Sequence, residues 1–297
     1  MKKSLLLLLM SGSLGFLFSL DMEIEGGLGN MAFHAGQESL TAGAKAFDPQ
    51  LYPSFRIGVS GELKDYFSFS GGFERDPLLR NRLYASLGIN LDYVSMEIGP
   101  VMGLFNAREQ PVNPGFSAAL DAEVPGIFFM HLQGSSSLGS VLDIEGNYNQ
   151  KTGDVAAGFW VPYVVCSLNL SSRAFTVQEK ADLLTGDSLT RYFFRAEVYT
   201  KNVPYTVRVD LGYQNLKRSY SVDVINGTNI EKTRAADEFK SIFLGLEGTY
   251  TVFPGFKVLL GGEAPVYAWS VRPMKDPGKG SVLFRAYAGA AWSINAE

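Results

Sequence analysis

Residues 81–104 read NRLYASLGINLDYVSMEIGPVMGL. From Leu83 the apolar residues take every second position, Leu83, Ala85, Leu87, Ile89 and Leu91, with Arg82, Tyr84, Ser86, Gly88 and Asn90 between them. After Asp92-Tyr93 the alternation restarts as Val94, Met96, Ile98, Pro100, Met102 and Leu104, with Ser95, Glu97 and Gly99 between. Successive side chains of an extended chain point to opposite faces, so this period of two predicts two strands, and the tight join makes them a hairpin. Each strand has one greasy face and one polar face. Either a sandwich core or lipid satisfies the greasy face, and lipid also requires an aqueous interior for the polar one.

The same dyad recurs along the chain. Phe55, Ile57 and Val59 alternate with Arg56 and Gly58; Phe116, Ala118, Leu120 and Ala122 with Ser117 and Asp121; Tyr192, Phe194 and Ala196 with Arg191, Arg195 and Glu197. The closing run alternates Phe284, Ala286, Ala288, Ala290 and Trp292 with Arg285 and Tyr287. Between the dyads lie short turns at 64–65, 92–93, 125–126, 150–153, 201–204 and 253–255. Longer connections are expected at 34–52, 76–80, 105–114, 136–140, 172–189, 219–237 and 270–280. Residues 154–171 read either as one long strand with a bulge near Pro162 or as two strands joined there, and taking them as one makes short and long connections alternate. That yields an all-β, antiparallel up-and-down barrel of about fourteen strands with both termini at one end. Twelve is the alternative count if the first strand and the 154–171 region are read otherwise.

The polar faces carry many charges, which a dry core does not hold unpaired. Aromatic residues such as Tyr66, Tyr93, Phe116, Tyr205, Phe253, Phe256 and Trp292 stand within a few residues of a turn, as a membrane girdle would place them. Residues 1–20, MKKSLLLLLMSGSLGFLFSL, have a Lys2-Lys3 start and an apolar run, the pattern of a secretory signal peptide with cleavage near Ser19. The expected organisation is therefore a leader over 1–20 and one transmembrane barrel domain over 21–297. The chain has 297 residues, 46% of them hydrophobic, yet its mean hydropathy is only +0.04. Strands that are half polar give such an average. A net charge of −4 without a basic block gives no sign of a nucleic-acid partner. The single cysteine, Cys166, alternates with Leu168 and Leu170 and is read as a small residue on the apolar face.

The leader, the dyad repeats and the closing strand SVLFRAYAGAAW (281–292) together resemble a Gram-negative-type or spirochaetal outer-membrane β-barrel. The resemblance covers the whole mature chain and is architectural. It implies residence in the cell outer membrane, contact with its lipid, and handling by periplasmic chaperones and the barrel-assembly machinery. In that class an aromatic residue usually ends the last strand and the chain; here Ser293–Glu297 follow Trp292.

The inward phase names the candidate lining of a pore: Glu62, Arg82, Glu97, Asp121, Glu123, Asp143, Glu145, Arg195, Glu197, Arg208, Asp210, Glu263 and Arg285. Acids outnumber bases on that phase, which predicts a porin-like channel for ions and small solutes with mild cation preference. A gated transporter for small hydrophobic solutes and a surface-exposed interaction barrel or adhesin are the alternatives. The Ala-rich segment 34–51 is a candidate constriction, and 219–237, with Asn226-Gly227, a surface hairpin. No cofactor, metal or catalytic role is expected. Gly27-Leu28-Gly29-Asn30-Met31-Ala32 fits a dinucleotide fingerprint in letters but lacks the strand and helix that give it meaning. Of the two histidines, His131 stands roughly 13 Å along a strand from Ser135, too far for a nucleophile–base pair.

Overall fold

The structure, a computed structural model, describes residues 18–29, 51–63, 66–104, 112–137, 148–180, 183–199, 203–226, 229–271 and 284–295. Fourteen strands form one closed sheet: β1 (Phe18–Gly29), β2 (Tyr52–Leu63), β3 (Phe67–Asp76), β4 (Arg80–Leu91), β5 (Val94–Leu104), β6 (Val112–Val124) and β7 (Phe128–Ser137), then β8 (Tyr148–Val161), β9 (Val164–Lys180), β10 (Leu183–Tyr199), β11 (Tyr205–Asn226), β12 (Asn229–Phe253), β13 (Phe256–Val271) and β14 (Arg285–Asn295). Each strand pairs antiparallel with its sequence neighbours. β1 closes the ring on β14, from Ser19↔Asn295 to Gly29↔Arg285. Both ends of the barrel chain thus lie at the end that carries the tight turns.

The apolar phase faces outward on strand after strand and has no protein packed over it. Leu87 and Ile98, partners in the β4–β5 hairpin, are both 67% exposed. Soluble monomers rarely expose an apolar surface that is continuous around the molecule. From Leu83 to Leu91 the belt runs roughly 26 Å along the strand, or about 20 Å along the axis at a tilt of about 40°, close to the apolar band of a membrane barrel. At the turn end it is bordered by exposed Tyr66, Tyr93, Tyr163 and Tyr205 and by stacked Phe253 and Phe256. At the other end the outward positions become polar. Beyond Tyr213 and Ile242 come Asn215, Lys217, Glu238 and Lys240, with both lysines on Glu238. Arg75 and Lys151 are exposed at the same end. This is a transmembrane β-barrel.

The strand count agrees with the sequence, but through two offsetting errors. The expected turn at 150–153 lies inside β8, where Lys151, Thr152, Gly153 and Asp154 pair with both neighbours. The real turn is Pro162-Tyr163, where Tyr163 takes a left-handed φ of 71°. So 154–171 is two strands, and the expected long connection at 172–189 is mostly strand. Lys-Thr-Gly-Asp imitates a turn because it crosses the polar end of the wall: Lys151 faces solvent above the apolar belt, and Thr152 and Asp154 share the inward phase. The expected strand over 142–149 lies mostly outside the described residues, as do residues 1–17 of the leader, the candidate constriction over 34–50, Asp143 and Glu145. The expected surface hairpin is present as paired backbone, with β11 and β12 matched as far as Asn226↔Asn229, beyond the apolar belt.

Candidate functional site: a charged lumen under an apolar cap

Inside the barrel is a cavity of about 1220 Å³. Of the sequence-predicted lining, Arg82, Arg195, Glu197, Arg208, Asp210, Glu263 and Arg285 border it. Glu97 and Asp121 point inward but are held at the wall: Glu97 accepts hydrogen bonds from Ser70 and Ser86, and Asp121 engages His131. Glu62 and Glu123 share the inward phase nearer the turn end, where Glu62 registers with Ser68 and Glu123 with Phe129. His131 and Ser135 do not meet, since Ser135 bonds to Thr152 and receives Arg82.

Ion pairs cross the lumen as well as follow its wall. Glu74 on β3 receives Arg82 from β4 at 2.6 Å and Arg173 from β9, well separated around the ring, at 3.0 Å. Arg173 also meets Asp76 at 3.2 Å. On the other side Arg191 of β10 reaches Glu263 of β13 through two bonds of 2.9 and 3.0 Å. Arg195 grips Asp210 with Nε and Nη2, and Arg208 donates to Glu247 at 2.6 Å. Arg285 meets Glu25 at 3.2 Å, which ties the closing strand to the first. Such two-pronged pairs suit guanidinium because its planar fork matches a carboxylate.

Above this layer, at the end away from the tight turns, the inward phase becomes apolar. Phe175, Leu216 and Phe239 are buried there with Leu78 and Leu79, and Tyr148, Val177 and Leu189 pack against them. Leu78 and Leu79 come from the β3–β4 connection, which folds into the barrel mouth. Asp76 Oδ1 accepts the backbone N–H of Leu78 and of Leu79 at 2.8 and 2.9 Å. Arg80 follows in the left-handed region at φ 67° and lies over the Phe175 ring at 5.0 Å. The Gln150 amide donates to the carbonyls of Leu79 and Asn81. Beside the cap, Asp187 and Arg218 form a buried pair at 2.9 Å. The described inward-folded segment is therefore the β3–β4 turn.

Sequence reading passed over Arg173, Asp187 and the whole cap. Their signal was present: Ser167, Asn169, Ser171, Arg173 and Phe175 continue one inward phase of β9. Treating 172–189 as a loop discarded it.

A closed, even-numbered antiparallel barrel that is apolar outside and ionic inside is a barrel of the outer-membrane type. No protein-family model matches the chain, and no curated protein sequence does. Among solved structures it is similar in fold to a bacterial polysaccharide outer membrane secretin, at 9% identity and a TM-score of 0.49 over 93% of this chain and 98% of that one. It is likewise similar to an outer membrane channel from Pseudomonas putida F1, at 7% identity and a TM-score of 0.48 over 95% and 97%. A loop-deletion mutant of the Vibrio cholerae outer membrane protein OmpT gives 10% identity and a TM-score of 0.42 over 93% and 98%.

Proposed function

We propose that the protein is an outer-membrane channel for ions and small solutes, narrowed at one mouth by the β3–β4 turn. The observation that carries this reading is the interior cavity, about 1220 Å³, walled by charged side chains inside a closed barrel. A barrel that served only as a scaffold would be stabilised more simply by an apolar filling than by paired ions, whose desolvation offsets much of their attraction. Glu62, Glu97, Asp121 and Glu123, nearer the turn end, meet no arginine among the described residues, which supports a mild cation preference for small ions.

Refolded protein in planar bilayers is expected to give discrete current steps with a cation-directed reversal potential in a KCl gradient. Replacing Glu97 and Asp121 by Gln and Asn moves that potential toward zero. Folded, heat-modifiable protein that never conducts overturns the channel. The long β11–β12 hairpin favours a second reading, display of a binding surface, in which deleting 220–235 abolishes partner capture. The channel reading expects that deletion to leave conductance intact.

A further inference from the structure

Four guanidiniums converge on one stretch of the lumen wall, from β10 to β14: Arg191, Arg195, Arg208 and Arg285. They are linked through shared acids. Asp210 lies 2.8 Å from Arg195 and 3.9 Å from Arg208, and Glu263 lies 2.9 Å from Arg191 and 3.9 Å from Arg285. Tyr287 donates to Glu247 beside Arg208, and its ring lies under Arg285 at 5.1 Å. In each pair the base is the more exposed partner: 31% for Arg195 against 15% for Asp210, 27% for Arg208 against 11% for Glu247, and 35% for Arg285 against 11% for Glu263. The acids sit back in the wall and the guanidiniums front the water.

A guanidinium has five N–H donors in a fixed fork, and one carboxylate occupies only one edge of it. Arg195 uses Nε and Nη2 on Asp210, so its Nη1 makes no hydrogen bond among the described residues. An oxyanion entering the cavity would meet donors already held in place by the acids behind them, so little side-chain entropy would be lost on binding. Lysines would not supply this planar recognition. We infer that the β10–β14 wall is a subsite for the carboxylate or phosphate group of a solute. The inward count of acids, which predicts only the preference for simple ions, does not reveal it. This inference rests on the channel reading for its role in transport, but binding itself can be measured without conduction.

Two probes, succinate and inorganic phosphate, are titrated into single-channel recordings in KCl and, separately, into detergent-solubilised protein by calorimetry. The expected result is saturable block and a binding isotherm for at least one of them; which one binds decides between carboxylate and phosphate. The paired change Arg195→Gln with Asp210→Asn removes the fork without altering net charge. It should weaken block and binding at least tenfold while the variant remains folded and heat-modifiable like the parent. Arg208→Lys, which keeps the charge and leaves no buried acid unpaired, should also weaken both and covers the case where the double variant does not fold. Binding by calorimetry without any conduction would remove the channel and keep the subsite. Absence of binding by both probes, or binding unchanged in folded variants, overturns the subsite.

Discussion

At the residue scale, the solvent on each face decides what a position tolerates. Leu87 is outward, mid-belt and 67% exposed, a placement that would invite a polar residue in a soluble protein. Here the surrounding medium is lipid, and a charge at mid-depth on the lipid face of such barrels costs about 2–4 kcal/mol. Leu87→Arg is therefore expected to lower unfolding free energy by about 2–4 kcal/mol when the barrel is denatured by urea from lipid vesicles. Leu91→Arg, in the same phase but next to the turn, should lose at most about 1 kcal/mol, since the penalty fades near the interface. Equal, small effects at both positions would mean that water, not lipid, covers the belt. On the inner face the opposite logic holds. Glu74 is tolerated where it is because Arg82 from the neighbouring strand and Arg173 from distant β9 converge on it.

At the scale of elements, the β3–β4 turn is the segment with most leverage on passage through the barrel. Leu79 is fully buried in the mouth although it belongs to a connection, and its backbone is held by Asp76 on one side and Gln150 on the other. Leu79→Ser removes the apolar anchor and leaves the polar ties. The expected outcome is a larger or noisier single-channel conductance with unchanged heat-modifiability. A conductance identical to that of the parent would show that the turn does not limit flow. This element also shows where sequence reading stops. Alternation along 81–104 decided the hairpin, the face given to lipid and the inward phase of Arg82 and Glu97, because a period of two is a local property of the chain. Pro77, Leu78 and Leu79 carry no period, and the partners that bury Leu78 and Leu79, namely Phe175, Leu216 and Phe239, lie far away in sequence. The turn at Pro162-Tyr163 was set aside although Pro162 marks it: with Lys-Thr-Gly-Asp taken as a turn, only an unbroken 154–171 kept short and long connections alternating. Polar residues at the end of a wall look like a turn, and an apolar turn at the edge of the belt looks like a strand.

At the scale of the whole molecule, everything described depends on closure, because an open sheet would expose two unpaired edges to lipid, where backbone groups find no partner. Closure rests on β1 and β14, and their register fixes which face of each strand meets the lumen. Ile24 and Ala290 stand directly opposite on the outer face. Opposed residues in antiparallel strands have Cα atoms about 4.5–5.5 Å apart, within the span of a disulfide. With Cys166→Ser as background, the pair Ile24→Cys and Ala290→Cys is expected to cross-link under mild oxidation of the folded barrel. After boiling without reductant, the product should migrate as a chain joined near both ends, and reductant should restore the parent band. The pair Ile24→Cys and Ala291→Cys should not cross-link, because residue 291 points to the other face, toward the lumen. The reverse pattern would mean a slip of one residue, which would turn Arg285 and Tyr287 out into lipid and Ala286 and Ala288 into the lumen. It would also separate Arg285 from Glu25 and dismantle the arginine wall, so a single oxidation experiment tests the closure and the arrangement of the lumen together.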